Sequence, residues 1–184
     1  MESRNYLREG MLLMVGGMQF ILAMVIAESL YPGYSIANDY ISDLGVGPSA
    51  LIFNASIIIF GSCVVYAAYL FSRSFSKFSM VLIASGLGAI GVGMFPENMA
   101  QLHGISALFA FVFSGVSALY AYTIVRKPFN YLSLIIGLFI FAAILLFATN
   151  NLLGIGVGGM ERMIAYPAIL WVIGLGGYLA GGSK

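Results

Sequence analysis

Six long apolar segments separated by short polar connections dominate this sequence of 184 residues. Each is close to the roughly 20 residues that a helix needs to cross a bilayer. Lipid offers an open strand no hydrogen-bond partner, and the alternating pattern of a membrane β-barrel is absent, so the segments are predicted to be helices. We expect an all-α, multi-pass membrane protein. Residues 1–184 would form a single transmembrane domain, a bundle with spans near 11–29, 50–71, 78–95, 104–125, 131–149 and 164–179.

The composition excludes several other classes of protein. Hydrophobic residues make up 61% of the chain and charged residues 8%, whereas a soluble domain carries about 25% charged residues. The formal net charge of +1 gives no basic surface for nucleic acid, so we expect membrane lipids and other membrane proteins as partners. The lone cysteine, Cys63, excludes an internal disulfide.

The distribution of cations predicts the orientation in the membrane. Six spans place both termini on the same side, and basic residues concentrate on the cytoplasmic side of membrane proteins. We therefore expect cytoplasmic termini and a location in the cell membrane. Seven cations fall on the side of the termini and Arg162 alone falls on the other; the seven are Arg4, Arg8, Arg73, Lys77, Arg126, Lys127 and Lys184.

Five acidic residues lie at the opposite, outer ends of the spans or in outer loops, so the outer loops are where we expect any chemistry; they are Glu28, Asp39, Asp43, Glu97 and Glu161. Residues 36–45 are predicted to form a short helix, capped by Ser35 or Asn38 and ended by Gly45 in a left-handed conformation. Asp39 and Asp43, four residues apart, would then share a face. They form either a solvated turn or a carboxylate pair that lines an outward-facing pocket.

Arg162, the single outer cation, precedes the last predicted span. A charge at membrane depth costs roughly 2.5–3.5 kcal/mol, so this side chain is expected to face protein and to pair with a carboxylate. It could equally form a structural ion pair that closes the bundle. Asn54, about one turn into the second span, is expected near the same pocket. The partners that the sequence offers Arg162 are Asp39, Asp43, Glu97 and Glu161.

His103 is the single histidine and begins the fourth predicted span. One imidazole excludes a multi-histidine zinc site, although histidine with carboxylates could still hold a metal. We predict no metal site, and no motif indicates a cofactor. As a general base, His103 would be oriented by an aspartate, with Ser42 as a possible nucleophile that lacks a nucleophile-elbow motif.

Four motifs, in order along nearly the whole chain, carry a family resemblance. The chain resembles the six-span membrane-protein family DUF998, whose name denotes a domain of unknown function. The resemblance implies a six-helix bundle of prokaryotic membranes and names no activity. The motifs are residues 41–45 (ISDLG) with Phe53-Asn54, residues 93–96 (GMFP) with His103, Glu161-Arg162, and Tyr166-Pro167 with Trp171.

These observations favour an outward-facing polar pocket that binds a lipid headgroup or a small polar ligand. Three other functions remain open. They are an accessory or structural subunit of a membrane complex, a membrane-embedded hydrolase or transferase with His103, Asp39, Asp43 and Ser42 as catalytic candidates, and a transporter, for which the spans offer few ionisable residues. The predicted ligand-binding residues are Arg162, Glu161, Asn54, Asp39, Asp43 and His103, with Ser42 also in the pocket lining.

Overall fold

The computed structural model describes residues 6–182 and contains six long helices. All six are long and apolar enough to cross a membrane, as the hydropathy pattern predicts. Two short 3₁₀ helices, Ser42–Gly45 and Glu97–Met99, lie in the connections after the first and third long helices. The long helices are α1 (Leu7–Leu30), α2 (Ala50–Phe71), α3 (Ser76–Met94), α4 (Ala100–Ala121), α5 (Phe129–Ala148) and α6 (Gly156–Gly181).

The helices pack in chain order, and α1 also packs against α6, which closes the bundle. Helix α4 touches α6 as well, so α5 lies towards the outside. The connections 31–49, 95–99 and 149–155 are at one end, here called the loop side. The opposite end, the termini side, carries the start of α1, the end of α6 and the connections 72–75 and 122–128.

Glycines permit the closest helix contacts. A Cβ atom on Gly61 of α2 would lie 2.6 Å from the carbonyl oxygen of Gly86 on α3, and one on Gly86 would lie 2.9 Å from the carbonyl oxygen of Gly61. Gly10 of α1 and Gly176 of α6 approach each other in the same reciprocal way. Small residues at helix crossings let backbones approach closely, which is how helices associate when lipid removes the hydrophobic driving force.

Three predicted spans differ from the observed helices in ways that matter for the site. Helix α1 begins at Leu7 instead of residue 11, and α4 runs from Ala100 to Ala121 instead of 104–125. Helix α6 begins at Gly156, eight residues before the predicted start at 164, so Glu161 and Arg162 are helical residues. A hydropathy pattern assigns charged residues and glycines to loops. Here, however, the side chains of Glu161 and Arg162 are buried within the protein.

The orientation of the termini is testable by labelling. With Cys63→Ala as background, single cysteines at Ser76 and Asn38 occupy exposed positions on the termini side and the loop side. In sealed cells, a membrane-impermeant maleimide is expected to modify Asn38→Cys and to leave Ser76→Cys unmodified until the membrane is permeabilised. Modification of Ser76→Cys alone would reverse the predicted orientation.

Candidate functional site: a buried loop-side cluster

The loop between α1 and α2 folds back over the bundle and is stabilised by its own carboxylates. The backbone N–H of Ser35 donates to Asp39 Oδ2 at 2.7 Å, and the N–H of Tyr40 donates to Asp43 Oδ2 at 2.7 Å. The predicted short helix over 36–45 is therefore wrong, because turns occupy its first half and the 3₁₀ helix its second. Asp39 and Asp43 each cap a turn and do not share a helix face, and Gly45 has no positive φ.

Arg162 on α6 joins this loop to the bundle. Its side chain is 5% exposed, and each of the five N–H donors of its guanidinium has an acceptor. Such complete pairing is what a buried charge requires. The acceptors are Tyr166 Oη at 3.2 Å, Ile36 O and Gly158 O at 3.0 Å each, and Glu28 Oε1 and Tyr34 Oη at 2.7 Å each.

The ion pair of Arg162 is with Glu28, and the pairing predicted with Asp39, Asp43, Glu97 or Glu161 is wrong. Glu28 lies in the last turn of α1, and α1 packs directly against α6. Glu161 is the neighbouring residue on α6, so it faces a different direction, towards the bundle interior. Asp39 contributes its backbone carbonyl, 3.5 Å from Arg162 Nη1, while its carboxylate caps Ser35.

Tyr34 also stabilises the contact between Arg162 and the loop. Its hydroxyl donates to the carbonyl of Tyr40 at 2.8 Å and accepts from Arg162, whose guanidinium carbon lies 5.6 Å from the ring centroid. Burial raises the pKa of Tyr34 to about 12, despite the opposing effect of the adjacent guanidinium. The phenol is therefore neutral at physiological pH, and the hydroxyl keeps the proton that it donates.

The side chain of Glu161 projects about 100° around α6 from that of Arg162, into the bundle. It is 8% exposed, and its Oε2 accepts the backbone N–H of Ile41 at 2.5 Å, which fixes the start of the 3₁₀ helix Ser42–Gly45. Among residues 6–182, this contact with Ile41 is the hydrogen bond that the carboxyl group makes, and it leaves the second oxygen unpaired. A buried carboxyl with one unpaired oxygen is a candidate acceptor for a bound molecule.

Ser42 contacts a second acidic side chain at this end of the bundle. Its hydroxyl donates to Glu97 Oε2 at 3.3 Å, while the neighbouring Asp43 accepts the backbone N–H of Tyr40. Ser42, the predicted candidate nucleophile, is thus engaged with Glu97.

His103 lies at the start of α4, and its ring is fixed by a backbone carbonyl. Nδ1 is 2.9 Å from the carbonyl oxygen of Phe95. A carbonyl only accepts, so Nδ1 carries the proton and Nε2 of the neutral ring is an acceptor. The prediction that an aspartate orients His103 is wrong, because Phe95 occupies that role.

Beneath the loop, a cavity of about 80 Å³ lies among α1, α2, α3, α4 and α6; it is called the loop-side cavity below. Ser42, His103 and Glu161 line its polar part, and Ser85 and Ser114 lie deeper. Asp39, Asp43, Asn54 and Arg162, all predicted to line a pocket, are not part of this lining. The remaining lining is apolar and includes Phe20, Met24, Phe53, Ile57, Phe60, Ala107, Phe111 and Ala165.

Asn54 on α2 holds the loop from the opposite side of the bundle. Its Nδ2 donates to the carbonyl of Gly45 at 2.9 Å, at the end of the 3₁₀ helix. Its Oδ1 is buried without a hydrogen-bond partner. Arg162 and Asn54 thus hold the two ends of the segment that covers the loop-side cavity.

Sequence reasoning did not identify Glu28, Tyr34 and Tyr166 as partners of Arg162. Glu28 is one of the acidic residues at the outer ends of the predicted spans. One signal in the sequence indicates this pair: a carboxylate in the last turn of the first span and a cation early in the sixth. That signal identifies the pair only if α1 and α6 are known to be neighbours.

The family model described as "Protein of unknown function (DUF998)" matches residues 14–178, which includes all four motifs of the sequence resemblance. No curated protein and no solved structure matches the chain. The matched region contains most of α1, all of α2 to α5, and α6 up to Tyr178. The chain, with its six helices able to span a membrane, belongs to the DUF998 family.

Proposed function

We propose that this protein binds a small amphipathic molecule from the membrane. The apolar part of the ligand would occupy the loop-side cavity, and its polar end would meet Ser42, His103 and Glu161. The observation that supports this most directly is the combination of an apolar cavity with a buried carboxyl that has one oxygen unpaired. Ligand sites are typically apolar pockets with a few convergent polar groups.

The polar groups favour a ligand that donates hydrogen bonds. Glu161 offers an unpaired carboxyl oxygen and His103 offers Nε2, and both are acceptors. Arg162 has no donor left for an anionic headgroup, since its five N–H groups are all engaged. An alcohol or an amine therefore matches the site better than a carboxylate or phosphate does.

The other predicted binding residues take a supporting role in this proposal. Arg162 and Asn54 hold the loop over the cavity, while Asp39 and Asp43 cap its turns. None of the four needs to contact the ligand. Preorganising a polar site with such outer contacts keeps its groups in position for binding.

The size of the cavity limits the apolar part of the ligand. An engineered apolar cavity of roughly 150 Å³ accepts benzene. A cavity of about 80 Å³ therefore suits a short hydrocarbon chain, either of a small molecule or of a chain end. Longer chains would need to extend out of the cavity between the helices.

Three probes of equal chain length separate these possibilities: hexylamine, 1-hexanol and hexanoate. In nanodiscs, hexylamine and hexanol are expected to raise the unfolding temperature saturably, because they bind the folded state alone. Hexanoate is expected to have no such effect, since it would place a second carboxylate beside Glu161. A Glu161→Gln variant should bind hexylamine at least about tenfold more weakly, consistent with loss of a charged hydrogen bond.

A matched pair of variants distinguishes the cavity from the bilayer as the site of action. Ala107→Leu fills the loop-side cavity, whereas Ala142→Leu adds the same atoms on an exposed face of α5. Stabilisation by hexylamine should disappear in Ala107→Leu and persist in Ala142→Leu. Equal responses in both variants would show that the probes act through the lipid and would overturn the proposal.

A further inference from the structure

A second and larger cavity lies at the opposite end of the bundle, independent of the site proposed above. Its volume is about 850 Å³, and we call it the termini-side cavity. It opens between the start of α1, the connection after α4 and the end of α6. Its walls are largely apolar and include Tyr6, Phe71, Phe75, Phe78, Ile124, Val125, Leu175 and Leu179.

The charged side chains that line the termini-side cavity are basic. Arg126 and Lys127 line it, both exposed, and no acidic residue does so within residues 6–182. Tyr178 Oη accepts the backbone N–H of Arg126 at 2.8 Å, which leaves its own O–H as a donor. Two cations and a hydroxyl donor at the mouth of an apolar cavity complement an anion that carries a hydrocarbon part.

Aromatic side chains pack against one another at this cavity. Phe129 stacks on Tyr178 with ring centroids 5.2 Å apart, and Phe71 packs against both Tyr6 and Phe78. Phe71, Phe78 and Leu175 are each no more than 2% exposed. The wall of the cavity therefore includes side chains that are packed into the bundle.

We propose that the termini-side cavity binds the phosphate group of a membrane lipid. Arg126, Lys127 and the Tyr178 hydroxyl would contact the phosphate oxygens, and the apolar walls would receive the upper part of an acyl chain. Basic pockets between transmembrane helices on the cytoplasmic side are suited to anionic headgroups. The predicted orientation places this cavity at that leaflet.

Short-chain lipids test this directly on the detergent-solubilised full chain. Dioctanoyl phosphatidic acid is expected to bind saturably by native mass spectrometry and to raise the unfolding temperature. Dioctanoylglycerol, which lacks the phosphate, should do neither. Inorganic phosphate at the same concentration separates a lipid from the free ion: equal stabilisation by phosphate alone would overturn the lipid proposal.

Two double variants, each of which removes two cations at the termini side, test whether the cavity itself binds the lipid. Arg126→Gln with Lys127→Gln removes the two cations of the cavity, whereas Arg73→Gln with Lys77→Gln removes two exposed cations outside its lining. At roughly 1 kcal/mol per cation near an anionic lipid, the first pair should weaken binding about thirtyfold and the second pair far less. Equal losses would indicate attraction by general surface charge, and undiminished binding in the first pair would place the lipid elsewhere. Either result overturns the proposal.

Discussion

Replacing Arg162 with glutamine is expected to lower the free energy of unfolding by about 3–5 kcal/mol, the cost of breaking a buried ion pair by removing one partner. The change leaves Glu28 without its ion-pair partner and removes the donors to Ile36 and Gly158. The Tyr34 hydroxyl loses the hydrogen bond that it accepts from the guanidinium. The loss can be measured in detergent by reversible denaturation, with helical content as the signal.

A double-mutant cycle identifies the partner. Glu28→Gln in the Arg162→Gln background should restore part of the loss, because it removes the unpaired charge; we expect a coupling energy of roughly 1–3 kcal/mol. The matched control is Asp43→Asn, which alters a carboxylate of the same loop that does not pair with Arg162. Coupling of Arg162 to Asp43 and not to Glu28 would contradict the contact described here.

The six helices were predictable because their signal is local. Each span is a run of apolar residues, and its existence follows from length and hydropathy without knowledge of its neighbours. The bounds were less predictable where a charge or a glycine lies within a helix. Helix α6 begins eight residues before the predicted start, since hydropathy penalises Glu161 and Arg162 although their partners remove most of that penalty.

The lining of the loop-side cavity was predicted only in part, because Asp39, Asp43, Asn54 and Arg162 lie outside it. The order of the spans predicts that Glu161, His103 and Ser42 lie at the same end of the bundle, and these three residues line one cavity. The pairing of Arg162 with Glu28 spans 134 residues and depends on α1 lying beside α6, which no local pattern encodes. The cavities are equally hidden from sequence, because empty space depends on how neighbouring helices pack.

The packing of the loop 31–49 also depends on a glycine near the start of α6. Gly158 donates its backbone N–H to the carbonyl of Ala37 at 3.0 Å, so the loop rests directly on α6. A Cβ atom on Gly158 would overlap the carbonyl oxygen of Asp39 and lie 2.6 Å from that of Ile36. Backbone oxygens cannot rotate away as side chains do, so any larger residue must displace the loop.

Gly158→Ala is therefore expected to lower the free energy of unfolding by about 3 kcal/mol, the upper part of the usual range for overpacking. It should also speed hydrogen exchange over residues 36–41, because the displaced loop loses its contacts with Arg162 and Gly158. Exchange measured by mass spectrometry reports this segment separately from the helices.

The adjacent glycine supplies the control. A Cβ atom on Gly159 would have the side chain of Ile155 as its nearest neighbour, at 3.1 Å. Gly159→Ala therefore adds the same methyl group one position along α6, away from residues 36–39. Alanine also favours the helical state over glycine by roughly 1 kcal/mol, which offsets the tight contact. Gly159→Ala should therefore leave loop exchange unchanged. Similar exchange in the two variants would mean that the loop does not rest on Gly158, and the lid over the loop-side cavity would then have to be held by Arg162 and Asn54 alone.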